Sequence, residues 1–226
     1  MIAVVFALEF EAADFVARYG RRLSVDVWIL GFTGRRAAEA LERRLKDQTP
    51  ELIVSAGFGG SLQPGYPIGK VVLGTNFTDT RCADVLGGAE SLASGAFVTS
   101  PDILVSAQQK RALGESTGAC VGDMETAHIA EICRARGIPL VAIRSISDTC
   151  EEDLPVPGDV LVNPATSRPD PALLFRYLFK HPRAAMGMKK LVENAHCARR
   201  TLAVTLQEIL PRLARPANVS RTNPAP

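Results

Sequence analysis

Strand-length apolar runs that alternate with helical patterns constrain the fold of this 226-residue chain more than any other feature. The run IAVVFAL at residues 2–8 is apolar throughout, which is typical of a parallel strand buried on both faces. Further strands are predicted at 25–30, 51–55, 69–74, 119–123 and 139–147. Between them lie helical patterns at 34–45, 106–116 and 124–136. This alternation with short connections predicts an α/β domain with a mainly parallel sheet.

The remaining segments carry weaker patterns. Residues 76–100 are predicted to be a loop or an edge segment, and the Pro-rich stretch 151–171 is predicted to be a long loop. Helical patterns follow at 172–180 and 183–212. The end of the chain, 213–226, has few apolar residues and three prolines, which predicts a disordered tail. We therefore expect one domain over residues 1–212.

Charge and cysteine usage exclude several classes of protein. A net charge of +2 provides no basic field for nucleic acid and no reason to expect a membrane surface, and no apolar run reaches the length of a membrane span. The N-terminus lacks the basic start and cleavage site of a signal peptide, so we expect a cytoplasmic protein. The five cysteines form no C-x-x-C pair and the three histidines lie far apart, so neither a metal nor another cofactor is predicted.

A glycine-rich stretch, SAGFGGSLQPG at residues 55–65, follows the apolar run 51–54. It does not match the dinucleotide fingerprint G-x-G-x-x-G, because Leu62 occupies the third glycine position. Nor does it match a nucleotide phosphate loop, because Gly69-Lys70 is followed by Val71 where Ser or Thr is required. A tight turn between a strand and a helix is the simplest structural reading of the stretch.

Polar side chains gather where the predicted strands end, at the edge where open parallel sheets bind ligands. They are Glu9, Glu11, Glu125, Arg144, Ser147 and Asp148.

Each of these residues also has a structural explanation. Glu125 in the first turn of a helix would favour the helix dipole, Asp148 could cap a turn, and Glu9 and Glu11 could be solvated. Arg144 is harder to explain in this way, because a guanidinium within an apolar strand is costly unless it is paired. Glu125 or Glu11 is its predicted partner.

Four motifs together resemble the nucleoside phosphorylase/nucleosidase superfamily. VGDMETAHIAEICRARGIPLVAIRSISD at 121–148 is similar to its Met-Glu and Ile-Ser-Asp signature, and residues 55–73 resemble its Gly-rich loop and following strand. ALEFEA at 7–12 and SGAFVTS at 94–100 resemble segments of 5′-methylthioadenosine/S-adenosylhomocysteine nucleosidases. The resemblance implies a single-domain three-layer αβα fold with a mainly parallel, mixed and twisted sheet.

The resemblance also implies roles in cleaving a purine nucleoside. Asp148, oriented by Ser147, would protonate the purine at N7, and Glu125 would hold the ribose and stabilise its cationic transition state. Glu11 would be the base that activates water.

The remaining implied contacts belong to substrate binding. Gly59 and Gly60 would let the backbone approach the ribose, Met124 would pack on the sugar, Phe97 would stack on the base and Val98 would bind it through its backbone. Arg144 completes the predicted set.

The reacting partner of the nucleoside remains open at this point. Acids after the first strand favour water, and Glu11 would repel phosphate, so hydrolysis of a 5′-substituted adenosine is predicted. A phosphorylase of the same fold, with phosphate as second substrate and Arg35 and Arg36 at a helix start as its cations, is the alternative. Phe58 and Lys70, which depart from the family pattern, leave open a nucleoside-binding module without turnover.

The C-terminal part carries a looser likeness. Residues 170–202 resemble hopanoid-associated members of the superfamily, which would imply a bulkier 5′ substituent. The apolar run within 173–179 fits a core-facing or dimer-facing helix, or a wall that faces lipid. The family also implies a homodimer or a larger homo-oligomer.

Overall fold

The computed structural model describes residues 1–19, 23–161 and 171–214. Its eight strands are β1 (Ile2–Phe6), β2 (Val25–Ile29), β3 (Leu52–Ser61), β4 (Val71–Gly74), β5 (Leu92–Gly95), β6 (Phe97–Thr99), β7 (Val121–Asp123) and β8 (Leu140–Asp148). The helices in the described residues are α1 (Glu9–Arg18), α2 (Gly34–Asp47), α3 (Thr80–Leu86), α4 (Ala107–Thr117), α5 (Thr126–Ala135), α6 (Gly158–Leu161), α7 (Pro171–Lys180) and α8 (Pro182–Leu213).

The strands form one mixed sheet in the order β2-β1-β3-β8-β4-β5, with β7 joining the end of β3 and β6 pairing with β7. Strands β2, β1, β3 and β8 are parallel to one another, whereas β4 runs antiparallel to β8 and β7 runs antiparallel to β3. Because β1, β3 and β8 are parallel neighbours, their carboxyl ends meet at one edge, as the predicted site requires.

Helices cover both faces of this sheet. Apolar side chains of α1, α3 and α8 pack on one face, and those of α2 and α5 pack on the other. The four-residue spacing of Ala37, Leu41 and Leu45 on α2 corresponds to the side of this helix that is buried. The fold is thus the three-layer αβα arrangement that the resemblance implied.

Two segments differ from the prediction, and one of them is the predicted loop 151–171, which contains the short helix α6. Residues 76–100 contain α3, β5 and β6, not a plain loop, and elements of three to seven residues are too short for a periodic pattern to reveal. The expected domain end at 212 lies next to the end of α8 at Leu213, and the predicted tail 213–226 lies outside the described residues from position 215 onward.

The glycine-rich stretch is also a strand and not a turn, because β3 continues through Ser61. Gly57, Gly59 and Gly60 on this strand do not have positive φ angles, whereas Gly65, which follows it, has a φ of 90°. The glycines of β3 are required by close approach: a Cβ on Gly57 would lie 3.0 Å from Glu11 Oε1, and one on Gly59 would lie 2.6 Å from Val121 Cγ1. The strand therefore brings bare backbone against neighbouring side chains.

Candidate active site

A cavity of about 220 Å³ opens at the carboxyl ends of β1, β3 and β8. Seven of the ten predicted site residues line it: Glu11, Gly59, Gly60, Met124, Glu125, Ser147 and Asp148. They come from four separate parts of the chain, so the sheet topology unites residues that are more than 130 positions apart.

Asp148, the last residue of β8, is held through both carboxylate oxygens. Ser147 Oγ donates to Oδ1 at 2.9 Å, and Lys110 Nζ lies 2.6 Å from Oδ2. Register pairs Gly60 with Asp148, and a Cβ at Gly60 would lie 2.8 Å from Oδ2. The carboxyl group therefore has a defined orientation at the cavity wall.

Lys110 is a site residue that the sequence analysis missed. It is fully buried, and besides binding Asp148 its Nζ donates to the carbonyl oxygens of Thr149 at 3.0 Å and Glu152 at 3.1 Å. These three acceptors use all the donors of an ammonium group. A signal was present: Lys110 shares the buried side of α4 with Ala107 and Gly114, where a lysine is unusual.

Glu11 lies in the first turn of α1 and is only 6% exposed. Its carboxylate accepts hydrogen bonds from the backbone N–H groups of Leu8 and Phe58, each at 2.9 Å. Burial raises the pKa of Glu11, while these hydrogen bonds and the charge of Arg144 oppose the shift. The net result is a buried carboxyl group whose pKa lies above its usual value.

Glu125 lies between β7 and α5, and its Oε1 accepts a hydrogen bond from Thr33 N at 3.1 Å. Burial, followed by the negative charge of Asp123, raises the pKa of Glu125 to about 8. Arg144 and the Thr33 N–H oppose this shift. Glu125 therefore holds its proton at higher pH than an exposed glutamate does.

Arg144 lies behind the cavity wall and is only 2% exposed. Its predicted partner was Glu125 or Glu11, but its Nη2 pairs with Asp123 Oδ2 at 2.7 Å. Thr126 Oγ1 accepts from the same nitrogen at 2.7 Å. The predicted need for a carboxylate was right and the predicted partner was wrong, because Asp123 reaches Arg144 from the end of β7.

Phe97 and Val98 do not reach the cavity. Phe97 is 3% exposed, and its ring lies so close to Gly74 that a Cβ there would be 2.6 Å from Cδ2. The Asn76 side chain binds both backbone groups of Phe97 at 2.9 Å. This arrangement turns the ring into the core, so Phe97 does not line the cavity in which it was predicted to stack on a base.

The aromatic side chains on the cavity wall, among the residues that the structure describes, are Phe32 and Phe58. Phe58 also contacts Phe10 edge to face, with ring centroids 6.2 Å apart. Both rings give the cavity apolar surface that an apolar ligand group could contact.

A larger groove of about 900 Å³ adjoins the cavity and shares Ala7, Leu8 and Phe32 with it. Its other walls include Phe10, Ile29, Arg36, Arg43 and the exposed Glu9. A ligand in the cavity can thus continue past Leu8 and Phe32 toward the surface.

No group of three metal-binding side chains occurs within residues 1–19, 23–161 and 171–214. In the same ranges, the helices are either too short or too polar to cross a bilayer.

Comparison with known proteins relates the chain to one superfamily. Residues 86–168 match the model of the phosphorylase superfamily, and no curated protein matches the chain. Among solved structures, 5′-methylthioadenosine/S-adenosyl homocysteine nucleosidase of Helicobacter pylori is 16% identical with a TM-score of 0.66, and covers 92% of this chain and 97% of its own.

Two further structures show the same fold. Futalosine hydrolase of Helicobacter pylori is 14% identical with a TM-score of 0.68, over 93% of this chain and 97% of its own. The 5′-methylthioadenosine nucleosidase of Arabidopsis thaliana is 17% identical with a TM-score of 0.66, over 95% and 96%. The matching segment and the shared fold together confirm the resemblance to the nucleoside phosphorylase/nucleosidase superfamily.

Proposed function

We propose that this protein is a nucleosidase that hydrolyses the N-glycosidic bond of a 5′-substituted adenosine and releases adenine. The observation that carries the proposal is the meeting of three carboxyl groups with different surroundings in one cavity: Asp148, Glu11 and Glu125. Carboxyl groups in distinct environments can act as acid, base and electrostatic stabiliser of the same reaction.

In the proposed reaction, a proton from the hydrogen-bonded pair of Asp148 and Lys110 moves to N7 of the purine. The electron pair of the C1′–N9 bond leaves with the base, and the ribose becomes an oxocarbenium-like cation. The Glu125 carboxylate stabilises that cation. A water oxygen then bonds to C1′, and Glu11 accepts the proton that the water loses.

The surroundings of Glu11 favour water over phosphate as the nucleophile. Backbone N–H groups such as those of Leu8 and Phe58 are typical phosphate ligands, but here both donate to Glu11. A phosphate dianion would have to displace or approach this buried carboxylate, which costs electrostatic free energy. Phosphorolysis is therefore the second candidate.

The size of the cavity supports a substrate whose 5′ substituent extends beyond it. About 220 Å³ lies below the usual range for sites that enclose a drug-sized ligand. The groove beyond Leu8 and Phe32 offers the additional space. The proposed substrates are methylthioadenosine, S-adenosylhomocysteine or a bulkier adenosyl compound, in keeping with the names of the structurally similar nucleosidases and futalosine hydrolase.

The experiment is adenine release from a panel of 5′-substituted adenosines, with and without phosphate. We expect release without phosphate and a loss of about 10²–10⁴-fold in the Asp148→Asn variant. Asp84→Asn, an exposed carboxylate on α3, is the matched control and should leave the rate unchanged.

Each alternative has its own outcome. Release that requires phosphate and yields ribose 1-phosphate products would replace hydrolysis by phosphorolysis. Tight nucleoside binding without product over hours would indicate a binding module. Light scattering of the purified chain tests the homo-oligomer that the family resemblance implies.

A further inference from the structure

The stretch 171–192 concentrates positive charge. It contains Arg176, Lys180, Arg183, Lys189 and Lys190 and no Asp or Glu. The whole chain has 26 Lys and Arg against 24 Asp and Glu, so subtracting these five cations leaves 21 against 24. The rest of the protein is thus slightly acidic, so the small net charge of the whole chain results from adding the basic segment 171–192 to an acidic remainder.

The same segment carries the most exposed large apolar side chains among the described residues. Phe175 is 73% exposed, Phe179 is 82% and Met186 is 75%, whereas the other large apolar side chains that reach the surface are at most 47% exposed. Contiguous apolar exposure of this kind usually marks an interaction surface.

Helical geometry places these residues together. On α7, Phe175 and Phe179 are four residues apart and therefore lie on one side of the helix, and Arg176 and Lys180 form a second row beside them. All four residues are exposed, whereas Leu174 and Leu178 are partly buried, so the exposed surface of α7 carries two aromatic rings flanked by two cations.

The start of α8 continues this surface. Met186, Lys189 and Lys190 are exposed and share one face of the helix, at a spacing of three to four residues. We call the exposed face of α7 together with these residues the α7–α8 face.

We propose that the α7–α8 face docks on the surface of an anionic lipid bilayer. Aromatic and aliphatic side chains would enter the boundary between headgroups and acyl chains, and the surrounding cations would bind anionic headgroups. Arg176 and Lys180 are exposed and form no ion pair with any residue that the structure describes.

Charge argues against a second copy of the chain as the occupant. A two-fold interface would bring two such basic surfaces together, and like charges at close range are repelled. An anionic surface instead complements Arg176 and Lys180, whereas Lys189 and Lys190 each lie beside a glutamate. The exposed rings of Phe175 and Phe179 can also insert into a lipid interface, which does not need a pocket of matching shape.

The α7–α8 face is joined to the wall of the cavity. Lys190 pairs with Glu152 at 2.6 Å, and Gly187 is packed so closely on Pro155 that a Cβ there would lie 2.5 Å from the proline ring. Leu154, between these two contact residues, lines the cavity. Docking would therefore bring this side of the cavity close to the bilayer.

The test is co-sedimentation of the full chain with vesicles of phosphatidylcholine, with and without phosphatidylglycerol. We expect binding to the anionic vesicles, weakening as salt increases. The double variants Phe175→Ser/Phe179→Ser and Arg176→Gln/Lys180→Gln should each lower the affinity about 10- to 30-fold. All these positions are exposed, and thermal melting verifies that the variants fold.

Matched control variants remove exposed apolar side chains or cations at positions outside the α7–α8 face. Val85→Ser/Val204→Ser and Lys46→Gln/Arg134→Gln change exposed residues outside the α7–α8 face and should bind as the parent does. The proposal is overturned if neither vesicle binds, or if the α7–α8 variants bind as tightly as the controls. It is also overturned if the Phe variant dissociates an oligomer that light scattering detects in the parent, or if the surface prefers RNA over anionic vesicles.

Discussion

Lys110 Nζ lies 2.6 Å from Asp148 Oδ2, on a carboxyl group whose other oxygen is bound by Ser147. The lysine reaches it from α4, and its two remaining N–H groups bind carbonyl oxygens just after β8. One buried ammonium thereby fixes both the proposed acid and the backbone that follows it. This contact joins parts of the chain that are 38 residues apart, so it links the stability of the fold to the geometry of the site.

The first prediction concerns the stability that Lys110 contributes. Lys110→Met leaves Asp148 without its cation and two carbonyl oxygens without a donor, and breaking a buried ion pair costs about 3–5 kcal/mol. We expect Tm to fall by about 10 °C in a calorimetric melt. Lys190→Met, which breaks an exposed pair with Glu152, should change stability by less than about 1 kcal/mol. Equal melting of the two variants would contradict this role of Lys110.

The second prediction uses the tight contact at Gly60. A Cβ there would lie 2.8 Å from Asp148 Oδ2, so Gly60→Ala must shift the carboxyl group. Since a misplacement of about 1 Å can cost on the order of 10²-fold in rate, we expect kcat for adenine release to fall by about 10- to 100-fold in a folded protein. At Gly88 the nearest atom to an added Cβ is 3.9 Å away, so Gly88→Ala is the control. An unchanged kcat in Gly60→Ala would show that the position of Asp148 does not limit the reaction.

The third prediction concerns the pH dependence of stability. Burial, together with Asp123, raises the pKa of Glu125 from 4.5 to about 8. Between these values the folded state retains a proton that the unfolded state loses, so Glu125 lowers stability as pH rises through this window. Glu125→Gln keeps an acceptor for Thr33 N and removes the titration. Its Tm relative to the parent should increase by about 5 °C or more between about pH 5 and pH 8.5.

The control for this experiment is a glutamate without the buried surroundings. Glu115→Gln changes an exposed residue of α4, and its Tm difference from the parent should stay flat across the same pH range. If Glu125→Gln also gives a flat difference, then Glu125 titrates at similar pH in the folded and unfolded states, and the inferred effect of burial is wrong.

Much of the scaffold could be predicted because a parallel strand buried on both faces is apolar at every position. The run 2–8 contains β1, and the predicted strand 139–147 nearly coincides with Leu140–Asp148. A tight turn was one reading of the glycines of β3 and close approach of the backbone was the other, because a sequence does not distinguish glycines needed for φ from glycines needed for close approach.

The prediction placed Asp148 at a strand end, where it does line the cavity, and missed Lys110, whose position depends on packing between distant parts of the chain. Lys110 meets Asp148 only because α4 lies against the segment after β8. Similarly, Asp123 and not Glu125 pairs with Arg144. Predicting this pair would require knowing that β7 runs antiparallel to β3. Helix and strand patterns do not contain this information.

The last prediction separates Glu125 from the other acids of the site by moving its pKa. Asp123→Asn removes the negative charge that raises the pKa of Glu125, while the amide oxygen can still accept from Arg144 and Thr126. If Glu125 acts as a carboxylate, kcat/KM for adenine release rises with pH toward about 8 in the parent, and this rise should occur at lower pH in the variant, by up to about one unit. The control variant Asp84→Asn should leave the pH dependence of kcat/KM unchanged. A rise that stays at the same pH in Asp123→Asn would assign it to a group other than Glu125, because only a group near Asp123 can sense the lost charge.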